Sequence, residues 1–206
     1  MGRKHVPSRG GGRGVTRSLA AGLLLLCFAA APSNAAKRAD EPRIDPLDAR
    51  RVGDRIDVQF HVANGLAPDT LERIRSGLPV AHRHRVEVLG RRAVPLWPAK
   101  VHARLRIDTS AVYDSLTRRF DLKRSIHVGP RKKSKATVVE ERHSTDSIEE
   151  VRAWMTEFDV LPALELSEAA QEARLRVRVE STLGRRFVLY MFPARLTVSA
   201  ERKLEP

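Results

Sequence analysis

The sequence predicts an α+β fold, mainly antiparallel β and sandwich-like, with two amphipathic helices, and three observations carry that expectation. Apolar and polar residues alternate with period two in several separate runs. Turn signals built from Gly, Pro and Asn stand between those runs. Helical periodicity occurs only twice, so the regular βαβ alternation of a parallel sheet is missing. With 206 residues and 42% apolar content, the chain suits one modest domain plus a leader. A domain of about 150 residues buries roughly 68–70% of its unfolded surface, enough for a self-supporting core. No run approaches the ~20 apolar residues of a bilayer-spanning helix.

Residues 1–18 carry Arg3, Lys4, Arg9, Arg13 and Arg17 and no acid, and an apolar run follows from Leu19 to Ala31. Ser33-Asn34-Ala35 offers small residues at the minus-three and minus-one positions, so residues 1–35 read as a Sec-type signal peptide cut after Ala35. Retention of the leader as an anchor is the alternative, disfavoured by the shortness of the run. The expected location is periplasmic or otherwise extracytoplasmic, with membrane association left open. Cleavage removes five basic residues and the one cysteine, Cys27. The mature chain would carry a net charge of +8 and no thiol chemistry.

Residues 36–50, with Pro42 and Pro46 among mixed charges, read as a flexible lead-in to a single β-rich domain over 51–206. Ile56, Val58, Phe60 and Val62 alternate with polar residues as a half-buried strand, and Asn64-Gly65 ends it. Pro68 at a first helical position, Leu71 and Ile74 on one face and Gly77 as a stop predict a short helix. Val80 to Val88 and Val101 to Ile107 are the next strands, separated by a Pro-rich turn at Pro95 and Pro98. Tyr113 to Leu122, Arg124 to Val128 and Thr137 to Glu141 predict further strands, with an exposed basic turn over Gly129 to Lys135. Ser144 is the expected cap of a second helix carrying Ile148, Val151, Met155 and Phe158 on one face. Ala173 to Val179 alternates cleanly, Leu183-Gly184 is read as a turn, and Pro193 is expected to separate two last short strands.

Tyr113-Asp114-Ser115-Leu116-Thr117-Arg118-Arg119-Phe120, preceded by Ser76-Gly77-Leu78-Pro79-Val80 and by Trp97, resembles a secreted bacterial family, the domain of unknown function numbered 4390. The resemblance spans roughly residues 50–200, including the helix with Trp154 and the late alternating strand. It departs from the family's pattern where Leu183-Gly184-Arg185-Arg186 stands. The family has no assigned activity. Its genes often lie near those of sensor kinases, which implies an accessory role in the envelope and carries over no functional residues.

The chemistry that the residues offer is sparse. There is no G-x-S-x-G elbow, no phosphate loop, no H-E-x-x-H and no paired Cys, so no catalytic residue and no cofactor is expected and the reading is non-enzymatic. His82-x-His84 places two imidazoles on one side of a strand, a weak candidate for metal. Strand parity turns His61 and His102 outward, away from that pair, so semi-exposed histidines at a strand end are preferred to a metal site.

Arginine is the second lead. Arg83 and Arg85, Arg104 and Arg106, and Arg174, Arg176 and Arg178 occupy outward positions and form an anion-binding stripe if their strands are neighbours. The turn with Arg131, Lys132, Lys133 and Lys135 adds to it. Like charges opposite one another destabilise a sheet, so pairing with Glu87, Asp57 or Glu180 in a solvated face is the competing reading. Of the 38 basic residues 30 are Arg, a bias that GC-rich codons produce unaided. For an exported chain the expected partner is another envelope protein or an anionic membrane surface, not nucleic acid. Tyr113, Phe120, Trp97, Trp154 and Phe158 are expected to serve the core.

Overall fold

The computed structural model describes residues 40–90, 98–129, 137–166, 174–188 and 192–204. Among them ten strands and two helices form two antiparallel sheets facing one another, as the period-two patterning predicts. The leader, Trp97 and the basic turn at Arg131, Lys132, Lys133 and Lys135 lie outside the described residues.

The smaller sheet is built on β1 (Arg43–Val52) and β2 (Arg55–Ala63), a hairpin turning at Gly53 with φ 64°. Two short strands, β7 (Glu157–Phe158) and β8 (Leu164–Glu165), pair with β2 on its other side. Eight residues of β1 fall in the segment read as a flexible lead-in. The alternation there is disguised, because the register shifts between Ile44 and Leu47 and two prolines stand in or beside an edge strand, where prolines are tolerated. Ile44, Leu47 and Ala49 nevertheless pack into the core.

The larger sheet runs β10-β9-β3-β4-β5-β6, comprising β3 (Val80–Leu89), β4 (Val101–Asp114), β5 (Arg119–Gly129), β6 (Thr137–Thr145), β9 (Arg176–Val188) and β10 (Phe192–Lys203). Three expected boundaries change. Tyr113 to Leu122 is not one strand: Asp114 accepts from Leu116 N and Thr117 Oγ1, both at 2.9 Å, and Arg118 adopts φ 57°, which closes a hairpin at Ser115–Arg118. Leu183-Gly184 does not turn the chain. Gly184, at φ 133°, sits where β9 gains a residue over β10, a bulge inside a continuous strand. Pro193 lies within β10, which is an edge strand and needs no ladder donor there.

Helix α1 (Pro68–Arg75) starts on Pro68 and stops at Gly77, φ 80°, as the sequence predicts. Helix α2 (Ile148–Thr156) is capped by Ser147, whose Oγ accepts from Glu150 N at 3.3 Å; the expected cap, Ser144, belongs to β6. Phe158 follows the helix in β7, where it stacks on Phe60 at 4.5 Å.

The inner face of the six-stranded sheet is covered in two halves. Over one half Ile56, Val58, Phe60 and Val62 of β2 meet Val86, Val88, Leu105, Ile107, Val177 and Val179, all buried. Over the other, α1 and α2 bring Ile74, Val151 and Met155 onto Val80, Ala111, Phe120 and Leu122. Side chains of this size contribute roughly 1.5–3 kcal/mol each when fully buried. The candidate residues from the sequence lie on the outer face of this sheet and along the seam between the two halves.

Candidate functional site

Alternation in β3, β4 and β9 turns Arg83, Arg85, Arg104, Arg106, Arg176 and Arg178 to the outer face, and Arg174 is exposed just ahead of β9. The strand order β9-β3-β4 makes these strands neighbours, which is the condition for a stripe. The register interleaves acids into it. Glu87 stands opposite both Arg104 and Arg178, Arg83 opposite Asp108, and Arg85 opposite Glu180.

The ion pairs follow: Arg104 to Glu87 at 2.6 Å, Arg83 to Asp108 at 2.7 Å, Arg106 to Asp108 at 3.0 Å and Arg176 to Glu201 at 3.4 Å. Arg178 also pairs with Glu201, whereas Arg85 reaches Glu180 only at 4.0 Å. The exposed pairs among them contribute about 0–1 kcal/mol each, so apart from the part-buried Arg104–Glu87 pair they neutralise the face more than they stabilise the fold. Arg85 and Arg106 stand directly opposite one another, and with Arg83 they set three guanidiniums against the two carboxylates of Asp108 and Glu180.

The seam on the inner face is polar. His82 and His84, expected to be semi-exposed, are buried, at 1% and 0% exposure, because β2, β7 and α2 cover the start of β3. His84 Nδ1 bonds to Ser181 Oγ at 2.8 Å, and its ring lies 4.5 Å from that of Phe158. Among the described residues its Nε2 and both nitrogens of His82 have no hydrogen-bond partner; the Met155 backbone stands near His82 without completing a bond. Burial pushes the His82 pKa down to about 4 and that of His84 to about 3, the latter helped by His82 and Arg124, so both are neutral at pH 7.

The ring centroids of the pair are 6.3 Å apart, and among the described residues no group of three or more His, Cys, Asp or Glu converges to hold a metal. His61 and His102 face away from the pair, as strand parity predicts.

Arg124 is the residue sequence reasoning missed. It shares the inner face of β5 with Phe120, Leu122 and Ile126, a lone cation in phase with apolar neighbours, and that phase was the available signal. The register lines up His82, Thr109, Arg124 and Glu141 across β3, β4, β5 and β6. The guanidinium lies 4.5 Å from the Trp154 ring centroid and 5.0 Å from that of Phe158. It donates to the carbonyls of Trp154 at 2.7 Å and Glu157 at 3.3 Å, and Glu141 approaches it at 3.9 Å. Burial lowers its pKa and Glu141 opposes that shift. The arrangement ties the C-terminal end of α2, where the helix dipole favours a cation, to the sheet.

The aromatic residues within the described structure serve packing. Tyr113 and Phe120 contact at 4.9 Å across their hairpin, and Trp154 packs from α2 against the cluster beneath the helices. A cleft of about 700 Å³ opens between that hairpin and the first turn of α2. Arg75 and Arg118 line it together with Asp146 and Glu149, so its charge is mixed.

Fold and surface together define a two-sheet antiparallel α+β sandwich with an ion-paired outer face. The chain belongs to the family described as Domain of unknown function (DUF4390), which matches residues 39–204. The match begins ahead of β1 and so takes in the strand concealed in the expected lead-in. Neither a curated protein nor a solved structure matches the chain.

Proposed function

We propose that this domain is an exported, non-enzymatic interaction module of the cell envelope that docks another envelope protein on the outer face of its six-stranded sheet. The observation carrying the reading is the facing pair Arg85 and Arg106, 45% and 44% exposed at their side chains, with fewer carboxylates around them than guanidiniums. Arg106 already meets Asp108 at 3.0 Å and His127 at 3.1 Å, and a carboxylate from a partner protein would take the donors that Arg85 and Arg106 have left. Around that point Glu87, Asp108, Glu180 and Glu201 alternate with the remaining arginines, giving a surface of both signs. Such a surface selects a partner with complementary charges in register. The same acids would lie against the headgroups of an anionic membrane, which places recruitment by lipid second. The basic, apolar and small-residue regions of the leader support export.

The test is site-specific photocrosslinking in the producing cell, with the reactive group at the Glu87 or Thr182 position and a control at Asp57 on β2. One discrete adduct from the outer-face positions, lost on Arg85→Glu and Arg106→Glu, is the expected result. Adducts that are equally strong at Asp57, or indifferent to both arginine changes, would remove the outer face from consideration. Salt-sensitive co-sedimentation with anionic vesicles, in the absence of any protein adduct, would transfer the site to a membrane surface.

A further inference from the structure

We propose that β6 pairs antiparallel with β6 of a second copy of this chain, joining two six-stranded sheets into one across a two-fold axis. The sheet has two ends, and they differ. At one end β10 lies against β1: Arg202 donates to the Leu47 carbonyl at 2.8 Å and pairs with Asp48 at 3.4 Å. At the other end β6 has β5 on one side and, among the described residues, no strand on the other.

Of the usual protections that edge has only its charges, Glu140, Glu141 and Arg142. β6 pairs with β5 without a bulge from Phe120–Thr145 to Val128–Thr137, and its sequence contains no Pro, Gly or Lys. Only the Ser144 carbonyl is taken by a side chain, Arg119, among the described residues. Val138 and Val139, on opposite faces of the strand, are 49% and 40% exposed, adjacent apolar residues at an open edge.

Charge complementarity identifies the occupant as a second copy. A two-fold axis perpendicular to the sheet keeps each face on its own side, so directly opposed residues share parity. Centring the nine-residue strand on Glu141 leaves none of its residues unpaired. In that register Glu140 of each copy, which meets Lys123 at 3.2 Å and Arg142 at 3.7 Å within its own chain, opposes Arg142 of the other, extending those pairs into an alternating network on the outer face. Val139 opposes His143, whose ring stacks on Trp154, and Val138 opposes Ser144. Glu141 opposes Glu141, and each already has Arg124 of its own chain at 3.9 Å. Shifting the register by two in either direction puts Glu140 or Arg142 opposite itself and shortens the overlap. The joined sheet would extend the outer face used for docking, but the pairing stands without that reading.

The experiment is analytical ultracentrifugation of the purified protein over a concentration series, for the wild type, Glu140→Arg, Arg142→Glu and an equimolar mixture of the two variants. A concentration-dependent dimer is expected, weakened roughly ten-fold or more in each variant alone, as both cross-copy pairs become repulsive. The mixture should recover it, since each variant then faces its complement. A wild-type monomer at every concentration overturns the proposal. So does a dimer indifferent to both changes.

Disulfide trapping covers the case in which a charge variant misfolds. Glu141→Cys should crosslink between copies, because opposed Cα atoms of an antiparallel pair lie about 4.5–5.5 Å apart, within disulfide reach. Ser144→Cys should not. Equal crosslinking at both positions, or none at Glu141→Cys, refutes the register.

Discussion

Acidification should destabilise this domain through its two buried histidines, and the size of the effect follows from their environment. In the folded state burial holds His82 at about 4 and His84 at about 3, against 6.5 for the free side chain. Between those values the unfolded chain binds protons that the folded chain refuses, so stability rises with pH across that window. It is complete above about pH 6.5 and falls as pH drops toward the folded values. At pH 5 the unfolded form of each histidine is favoured by roughly 2 kcal/mol, about 4 kcal/mol for the pair. That is a large share of the 5–15 kcal/mol typical of a domain. Urea unfolding at pH 7.5 and pH 5.0 reads it directly, by comparing the wild type with the double variant His82→Gln/His84→Gln. The variant starts less stable, having lost the Ser181 contact and its fit beneath Phe158, but its further loss on acidification should be smaller by about 4 kcal/mol. Contributions from the other titrating groups cancel in that difference. Equal losses in the two proteins would refute the reasoning, as would a wild type that gains stability at pH 5.

Other expectations test the packing and the backbone. Arg124→Met should cost roughly 2–3 kcal/mol in urea unfolding, because the Trp154 and Glu157 carbonyls lose their donor, and amide exchange in α2 should accelerate. Arg124→Lys should recover less than half of that loss, an ammonium being unable to fork to both carbonyls. Phe60→Ala should cost about 3–5 kcal/mol, since Phe60 is buried between Phe158 and His84, and a thermal melt suffices to see it. Gly65→Ala should also lower the melting temperature, because an added Cβ would stand 2.9 Å from the Val62 carbonyl, and backbone cannot yield as a side chain does.

How far the chemistry could be read from the chain varies from residue to residue. The outward direction of Arg83, Arg85, Arg104 and Arg106 follows from period-two alternation and is found as expected. Whether they form a free stripe did not follow, because their neutralising partners Asp108, Glu87 and Glu180 are set by register between strands. Arg124 was legible by the same parity that assigned its neighbours inward. It passed unnoticed because an arginine on an apolar face is the uncommon case and its partners are main-chain carbonyls in a later helix. β1 stayed hidden because a register shift breaks its alternation.

What depends on neighbouring residues was legible in the chain: the alternation of most strands, the inward set of β2, both helices and their inward residues up to Met155, though not Phe158, which the helix does not reach, and the separation of His61 and His102 from His82 and His84. Tertiary structure alone decided what depends on distant ones. His82 and His84 carry the same pattern whether their strand end is open or covered, and they are buried because β2, β7 and α2 close over them. His84 meets Ser181 from 97 residues away. A strand's own residues decide which side each one faces, but only the strand laid beside it decides what that side chain meets, and β6 is left open because no described strand is laid there.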